Sequence, residues 1–172
     1  MDDIELRNEL EKIHAVSYGW ALSCCSHDGN EASDVLQTAY VKVLEGRARY
    51  KGRSSFKTWL FSVIRYTAAE ERRRHWFRRL GLAKFAGERS GEDMFAEDIP
   101  PDLDDKTREF RKSLEKLPGR QREVLHLVFY QDMTLEEASA VMGVSIGSAR
   151  THYERGKKGM RNLIKTQENE NG

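Results

Sequence analysis

Prolines number only 3 in 172 residues, and runs that alternate apolar and polar residues in the manner of a strand are nearly absent. Both scarcities favour helices, and the expected fold class is all-α. Long apolar runs are missing too. None approaches the ~18–20 residues that a membrane span needs, and the opening MDDIELRNELEK is charged, with no apolar signal core. The expectation is a cytoplasmic chain with no membrane insertion. Cysteine is limited to the adjacent pair Cys24 and Cys25. Neighbouring cysteines bridge only with strain, so no structural disulfide is expected. With His27 they form three clustered candidate metal ligands, but no second set stands at matching spacing, and buried or spectator thiols are the simpler reading. A phosphate-cradling glycine loop and a nucleophile elbow are also lacking. His14, His27, His75, His126 and His152 are scattered over separate segments. No catalytic residue, metal or cofactor is expected.

Charge is abundant but segregated. Charged residues make up 33% of the chain and the formal net charge is only +1. Yet Arg47 to Arg79 holds eleven basic residues against Glu70 and Glu71, while Glu92 to Asp105 holds seven acids and no base. Such separation points to one surface for phosphates and one segment that imitates or repels them. The basic stretch interleaves its cations with Tyr50, Phe56, Trp59, Tyr66, Trp76 and Phe77. Cations attract phosphates and release counterions, and exposed aromatics stack on unpaired bases. Phe56 and Trp59 read mainly as core; for Tyr66, Trp76 and the arginine cluster the binding reading leads.

Helical periodicity divides the chain. Leu6, Leu10, Ile13 and Trp20 share one face of a first helix. Ala32, Val35, Leu36, Ala39, Tyr40, Val43 and Leu44 keep helical spacing over about 31–45, with Gly46 as terminator and Asp34, Gln37, Thr38 and Lys42 on the polar side. Ser54 or Ser55 caps a third helix whose buried stripe is Phe56, Trp59, Leu60, Val63, Ile64 and Thr67. Together these form a small domain, 1–82. Residues 83–105 read as an acidic linker, with Pro100 and Pro101 barring helix before them. In 106–172, a helix over about 106–117 turns Phe110, Leu114 and Leu117 inward, and the next buries Val124, Leu125, Val128 and Phe129. The terminal QENENG is expected to fray.

Residues 134–161, TLEEASAVMGVSIGSARTHYERGKKGMR, read as two helices joined by a tight turn. Thr134 caps the first, which turns Leu135, Ala138 and Met142 inward, and Gly143 ends it. Ser145 caps the second. Ile146, Ala149, Tyr153 and Met160 form its apolar back; Thr151, Glu154, Arg155 and Lys158 form its front, with Arg150 on the flank. That pattern suits a helix-turn-helix inserted in the major groove, and an ordinary helical hairpin with a solvated face is the plainer alternative.

Four stretches together resemble the extracytoplasmic-function group of bacterial RNA polymerase sigma factors of the sigma-70 family. DVLQTAYVKVLE (34–45) is similar to the family's polymerase-clamp helix. GRSSFKTWLFSVIRYTAAEERRR (52–74) is similar to its −10 recognition and melting segment. Residues 114–145 and 146–164 are similar to its −35-binding domain. The resemblance implies a sigma-2-like domain, a connector and a sigma-4-like domain over the three ranges above. It implies polymerase contacts by Asp34, Gln37 and Thr38. For the −10 strand it implies Lys51, Arg53, Ser54, Ser55, Lys57, Trp59, Tyr66, Arg72, Arg73 and Arg74, with the 51–55 loop capturing a flipped base. For the −35 duplex it implies Ser148, Arg150, Thr151, Glu154 and Arg155, with Lys157 and Lys158 on phosphates. The implied partners are core RNA polymerase (clamp and flap), promoter DNA both duplex and single-stranded, and an anti-sigma factor; the free chain is expected to be a monomer. Tyr66 and Glu70 stand where the family usually has Asn and Asp, so stacking is open as a replacement for an amide contact. A free-standing helix-turn-helix regulator leaves the 34–45 helix and the basic-aromatic stretch idle, and an enzyme such as a nuclease lacks a metal cluster.

Overall fold

The computed structural model describes residues 1–83, 104–170 and 172, and among them the ordered elements are helical throughout, with no strand. The chain divides into two compact units, Met1–Asp98 and Ile99–Gly172. The acidic stretch falls mostly outside the described residues.

The first unit is built from α1 (Asp3–Lys12), α2 (His14–Cys24), α3 (Gly29–Leu44) and α4 (Phe56–Ala83). Asp2 opens α1 with a capping box: its carboxylate accepts from the Glu5 amide while Glu5 accepts from the Asp2 amide. The expected single first helix is in fact two. Ile13, at φ −107° and ψ 13°, leaves helical geometry and breaks the chain between α1 and α2. The core gathers around Trp20, which is fully buried, stacks on Phe61 at 5.8 Å and donates its indole N–H to the Phe61 carbonyl at 3.0 Å. Val35, Leu36, Ala39 and Val43 of α3, with Leu60, Ile64 and Ala68 of α4, complete it. Phe61 is thus a core residue that the expected stripe omits, whereas Leu44 is exposed at the end of α3, Val63 is half-buried, and Trp59 is half-buried on the loop side. A helix packed against two others buries an arc wider than one 3.6-residue stripe. Of the two serines offered as cap for α4, Ser55 serves: its hydroxyl oxygen accepts from the Thr58 amide at 3.1 Å.

The second unit comprises α5 (Asp105–Glu115), α6 (Gly119–Leu125), a π-helical turn (His126–Tyr130), α7 (Leu135–Met142) and α8 (Ile146–Glu170). Asp104 caps α5 through the Thr107 amide at 2.9 Å, and hydrogen bonds from the Thr107 hydroxyl and then its amide hold the Asp104 carboxyl below the ordinary range. Leu114, Leu117, Leu125 and Met160 form the core, with Phe110, Tyr153 and Leu163 packed against it. The π-helical turn overturns one expectation. Each bond there spans an extra residue, as from the Gln131 amide to the His126 carbonyl, so α-helical periodicity slips by one position. Leu127 is therefore fully buried, while Val128 is only half-buried and Phe129 is 52% exposed. Ile146 is also exposed rather than part of the apolar back, because it lies in the first turn of α8, ahead of the point where Ala149 meets the core. The C-terminal tail does not leave the helix where expected: α8 runs through Glu170, with no proline or glycine between Gly159 and Glu170 to stop it.

Candidate nucleic-acid interfaces

The helix pair α7–α8 is set by its caps. Thr134 and Glu137 form a capping box, the Thr134 oxygen accepting from the Glu137 amide at 3.1 Å and Glu137 accepting from the Thr134 amide at 2.9 Å. Gly143 adopts φ +65°, a left-handed conformation in which only glycine escapes a Cβ penalty, and the turn closes with the Val144 amide donating to the Ser139 carbonyl. Ser145 then caps α8, accepting from the Ser148 amide at 3.1 Å. Met142 is buried and its carbonyl accepts from Arg120 of α6, so the turn is braced from below.

On α8, Ser148, Thr151, Glu154, Arg155 and Lys158 are exposed and share one face by helical spacing, with exposed Arg150 beside it. Thr151 donates its hydroxyl to the Gly147 carbonyl at 3.1 Å, which leaves the oxygen as an outward acceptor. Lys157 turns away from this row. It is half-buried, its ammonium lies 4.4 Å from the centre of the Tyr153 ring, and it pairs with Glu154 at 3.0 Å. Behind the helix lies an open apolar groove lined by Phe110, Leu125, Phe129, Tyr130, Lys157 and Met160. Periodicity counted Phe129 as core and so hid this feature; burial of the Tyr130 phenol raises its pKa above the ordinary value.

In the first unit, α4 rises from the 51–55 loop. Gly52 takes φ +67° at the loop's tip. Lys51, Arg53 and Ser55 are exposed and Ser54 is half-buried. The loop is pinned by Tyr50, whose hydroxyl donates to the Ser54 carbonyl at 2.5 Å and whose ring meets Phe56 at 5.4 Å and Trp59 at 5.3 Å. Trp59 thus supports the loop from beneath. Tyr50 was not among the expected site residues; its place four residues before a serine in a basic loop was the available signal. Further up, Trp59, Tyr66 and Arg73 recur every seven residues, about 10 Å apart along one face, with Tyr66 and Arg73 exposed. Lys57 is not on that face: its ammonium lies 5.5 Å from the Phe61 ring, on the other side of α4.

The three arginines of α4 diverge. Arg72 turns toward α3 and lines a groove with Asp34, Glu31, Trp76 and Arg79; its charge reaches Cys25 there. Arg73 lies at the groove's margin, and exposed Arg74 pairs with Glu71 at 3.2 Å. Asp34, Gln37, Thr38 and Val41 follow helical spacing on α3 and line one shallow depression. Val41 is exposed there, an apolar contact that the polar-face reading passed over. Cys25 is buried, and that burial pushes its thiol up to about 12. No group of three His, Cys, Asp or Glu among the described residues, Cys24, Cys25 and His27 included, is arranged to hold a metal ion.

The chain's two units correspond to two family models. Sigma-70 region 2 matches residues 10–78, and Sigma-70 region 4 matches residues 107–160. The ECF RNA polymerase sigma factor SigX of Bacillus subtilis (strain 168) is 30% identical over 139 residues, covering 78% of this chain and 71% of that protein. The RNA polymerase sigma factor YlaC of the same organism is 28% identical over 173 residues, covering 95% of this chain and 97% of the relative. Among solved structures, the sigma factor RpoE of Bartonella quintana, determined in complex with the anti-sigma factor NepR, superposes with a TM-score of 0.71 at 24% identity over 94% of this chain and 97% of that one. CnrH, in complex with the cytosolic domain of CnrY, superposes with a TM-score of 0.63 at 20% identity over 96% and 90% of the two chains. With both regions present in order, the chain belongs to the extracytoplasmic-function group of sigma-70 RNA polymerase sigma factors, the proteins that direct transcription initiation.

Proposed function

We propose that this chain binds core RNA polymerase and reads a promoter at two points without performing chemistry itself. The observation that carries the reading is the pairing, in one chain, of an exposed α8 row with an exposed basic-aromatic face on α4 and its loop. Residues 1–82 act at the clamp and the −10 element, 83–105 connect, and 106–172 act at the −35 element. Asp34, Gln37, Thr38 and Val41 dock the polymerase clamp. The apolar groove behind α8 receives the flap. Arg150, Thr151 and Arg155 reach base edges in the major groove, with Ser148 and Glu154 beside them; Arg supplies bidentate contacts to guanine and Glu accepts from cytosine N4. Lys158 neutralises phosphate, and Lys157 reaches phosphate from the flank. In unit 1, Lys51, Arg53, Ser54 and Ser55 hold a flipped base of the opened strand. Trp59 and Tyr66 frame that strand and Arg73 follows its backbone, while Arg72, Arg74 and Lys57, which point away from that face, add positive charge around it. An anti-sigma factor is the proposed regulator, on the strength of the complex that RpoE forms with the anti-sigma factor NepR. No helix among the described residues is long and apolar enough to cross a membrane, and a cytoplasmic site of action beside the polymerase follows from the same reading.

Mixing the protein with purified core polymerase tests the docking directly. Wild type is expected to co-migrate as holoenzyme, and Asp34→Ala, an exposed residue outside the core, is expected to lose that assembly while melting at the wild-type temperature. Unchanged assembly of Asp34→Ala refutes the assigned docking face. A wild-type chain that ignores core polymerase, yet alone protects a palindromic duplex, refutes the whole reading.

A further inference from the structure

Lys42 stands at the seam between the two working faces of unit 1. It follows Val41 on α3, at the edge of the docking face, and its side chain is largely withdrawn from solvent, 17% exposed. The ammonium crosses to α4, where it is ion-paired with Glu70 and donates to the Thr67 hydroxyl at 3.3 Å. Thr67 is fully buried, so this end of the contact is fixed to the core. The same Nζ lies 5.6 Å from the centre of the Tyr66 ring, within the ~6 Å reach of a cation–π contact. Tyr66 is 61% exposed. Its ring therefore turns one face to the lysine and offers the other to solvent, in the row that begins at the 51–55 loop.

We infer that Lys42 is a positioning residue that fixes Tyr66 as a one-sided platform for a single unpaired nucleobase, and that it does so from the helix that docks the polymerase. The inference rests on the proposed −10 role of unit 1. A surface tyrosine left to itself samples several rotamers and stacks poorly. A cation clamped between a buried threonine and a carboxylate holds the ring at a set height. The open face then stacks on any base, because every base has a π-face, and it reads no hydrogen-bonding pattern. Lys42 also touches the edge of the docking face, so the clamp and the platform share one anchored side chain.

The test uses holoenzyme and a promoter carrying 2-aminopurine in the −10 region of the non-template strand, whose fluorescence rises when the strand opens. Lys42→Met keeps the length of the stem and removes the charge. It is expected to assemble holoenzyme and bind closed promoter as wild type does, while the open-complex signal falls about three- to tenfold. Lys42→Arg keeps a cation and restores most of the signal. Tyr66→Ala falls as Lys42→Met does, and the double variant Lys42→Met/Tyr66→Ala falls no further than Tyr66→Ala alone. If Lys42 matters only for folding, Lys42→Met lowers the melting temperature and holoenzyme assembly, and its defect multiplies with that of Tyr66→Ala; that result overturns the inference. Wild-type opening by Lys42→Met overturns it as well while leaving the −10 role of unit 1 intact. Wild-type holoenzyme that opens no promoter removes both.

Discussion

Arg155 and Lys157 sit two residues apart on α8 and face different surroundings. Arg155 is exposed in the row with Thr151 and Lys158, whereas Lys157 lies over Tyr153 and pairs with Glu154. A guanidinium in the groove reads a base edge bidentately, and an ammonium held at the side does not. Arg155→Ala is therefore expected to relax sequence preference at one −35 position and to weaken binding by about 1–3 kcal/mol, as measured by binding to duplexes varied one base pair at a time. A uniform loss across all duplexes makes Arg155 a phosphate contact instead. Single residues were legible where their role follows from spacing along one helix: Thr134, Gly143, Ser145 and the outward row of α8. They were not legible where the role depends on a second element. Phe61 owes its burial to Trp20, Tyr50 pins a loop by reaching Ser54, and Lys42 meets Glu70 and Tyr66 across 28 and 24 residues of chain.

Between α6 and α8 the helices approach closely because α8 carries glycine on its buried side. A Cβ at Gly156 would stand 3.1 Å from Leu125 Cγ and Cδ1 and 3.4 Å from Gln121 Cβ. At Gly159 it would stand 2.8 Å from Leu117 Cδ2. Glycine in a helix interior ordinarily costs about 1 kcal/mol relative to alanine, and here close packing offsets that. Gly156→Leu has no room between the helices. It is expected to destabilise unit 2 by about 1–3 kcal/mol through overpacking, read as an earlier urea transition, with −35 duplex binding weakened at temperatures where unit 2 begins to unfold. A variant as stable as wild type would show that α8 does not pack on α6 in this way. Element type was plain from the sequence, since helical periods recur and prolines are few. Two boundaries were not. The break at Ile13 leaves no proline or glycine to mark it, and the π-helical turn at His126–Tyr130 keeps an apolar pattern while shifting which residues it buries. That shift exposes Phe129 and Tyr130, and so it creates the apolar groove of the second unit.

Across the whole molecule, charge is arranged by task and not by amount. A net charge of +1 gives little general attraction to DNA. Basic residues gather between Arg47 and Arg79, along 106–122 and on the front of α8, and the first and last of these are small modules, each with modest affinity expected for its own element. Two modest modules become a strong reader when a third body sets their distance, because the second contact then forms at high effective concentration. Core polymerase is that body in the proposed function, and so the DNA specificity belongs to the holoenzyme. The most direct measurement is run-off transcription by core polymerase plus this protein on a library of randomised promoters, with start sites mapped by sequencing. The expected result is transcripts starting at a fixed distance downstream of two constrained sequence blocks, present only when both the protein and core polymerase are supplied. Start sites unchanged by adding the protein, or selected promoters with a single palindromic block, would contradict it.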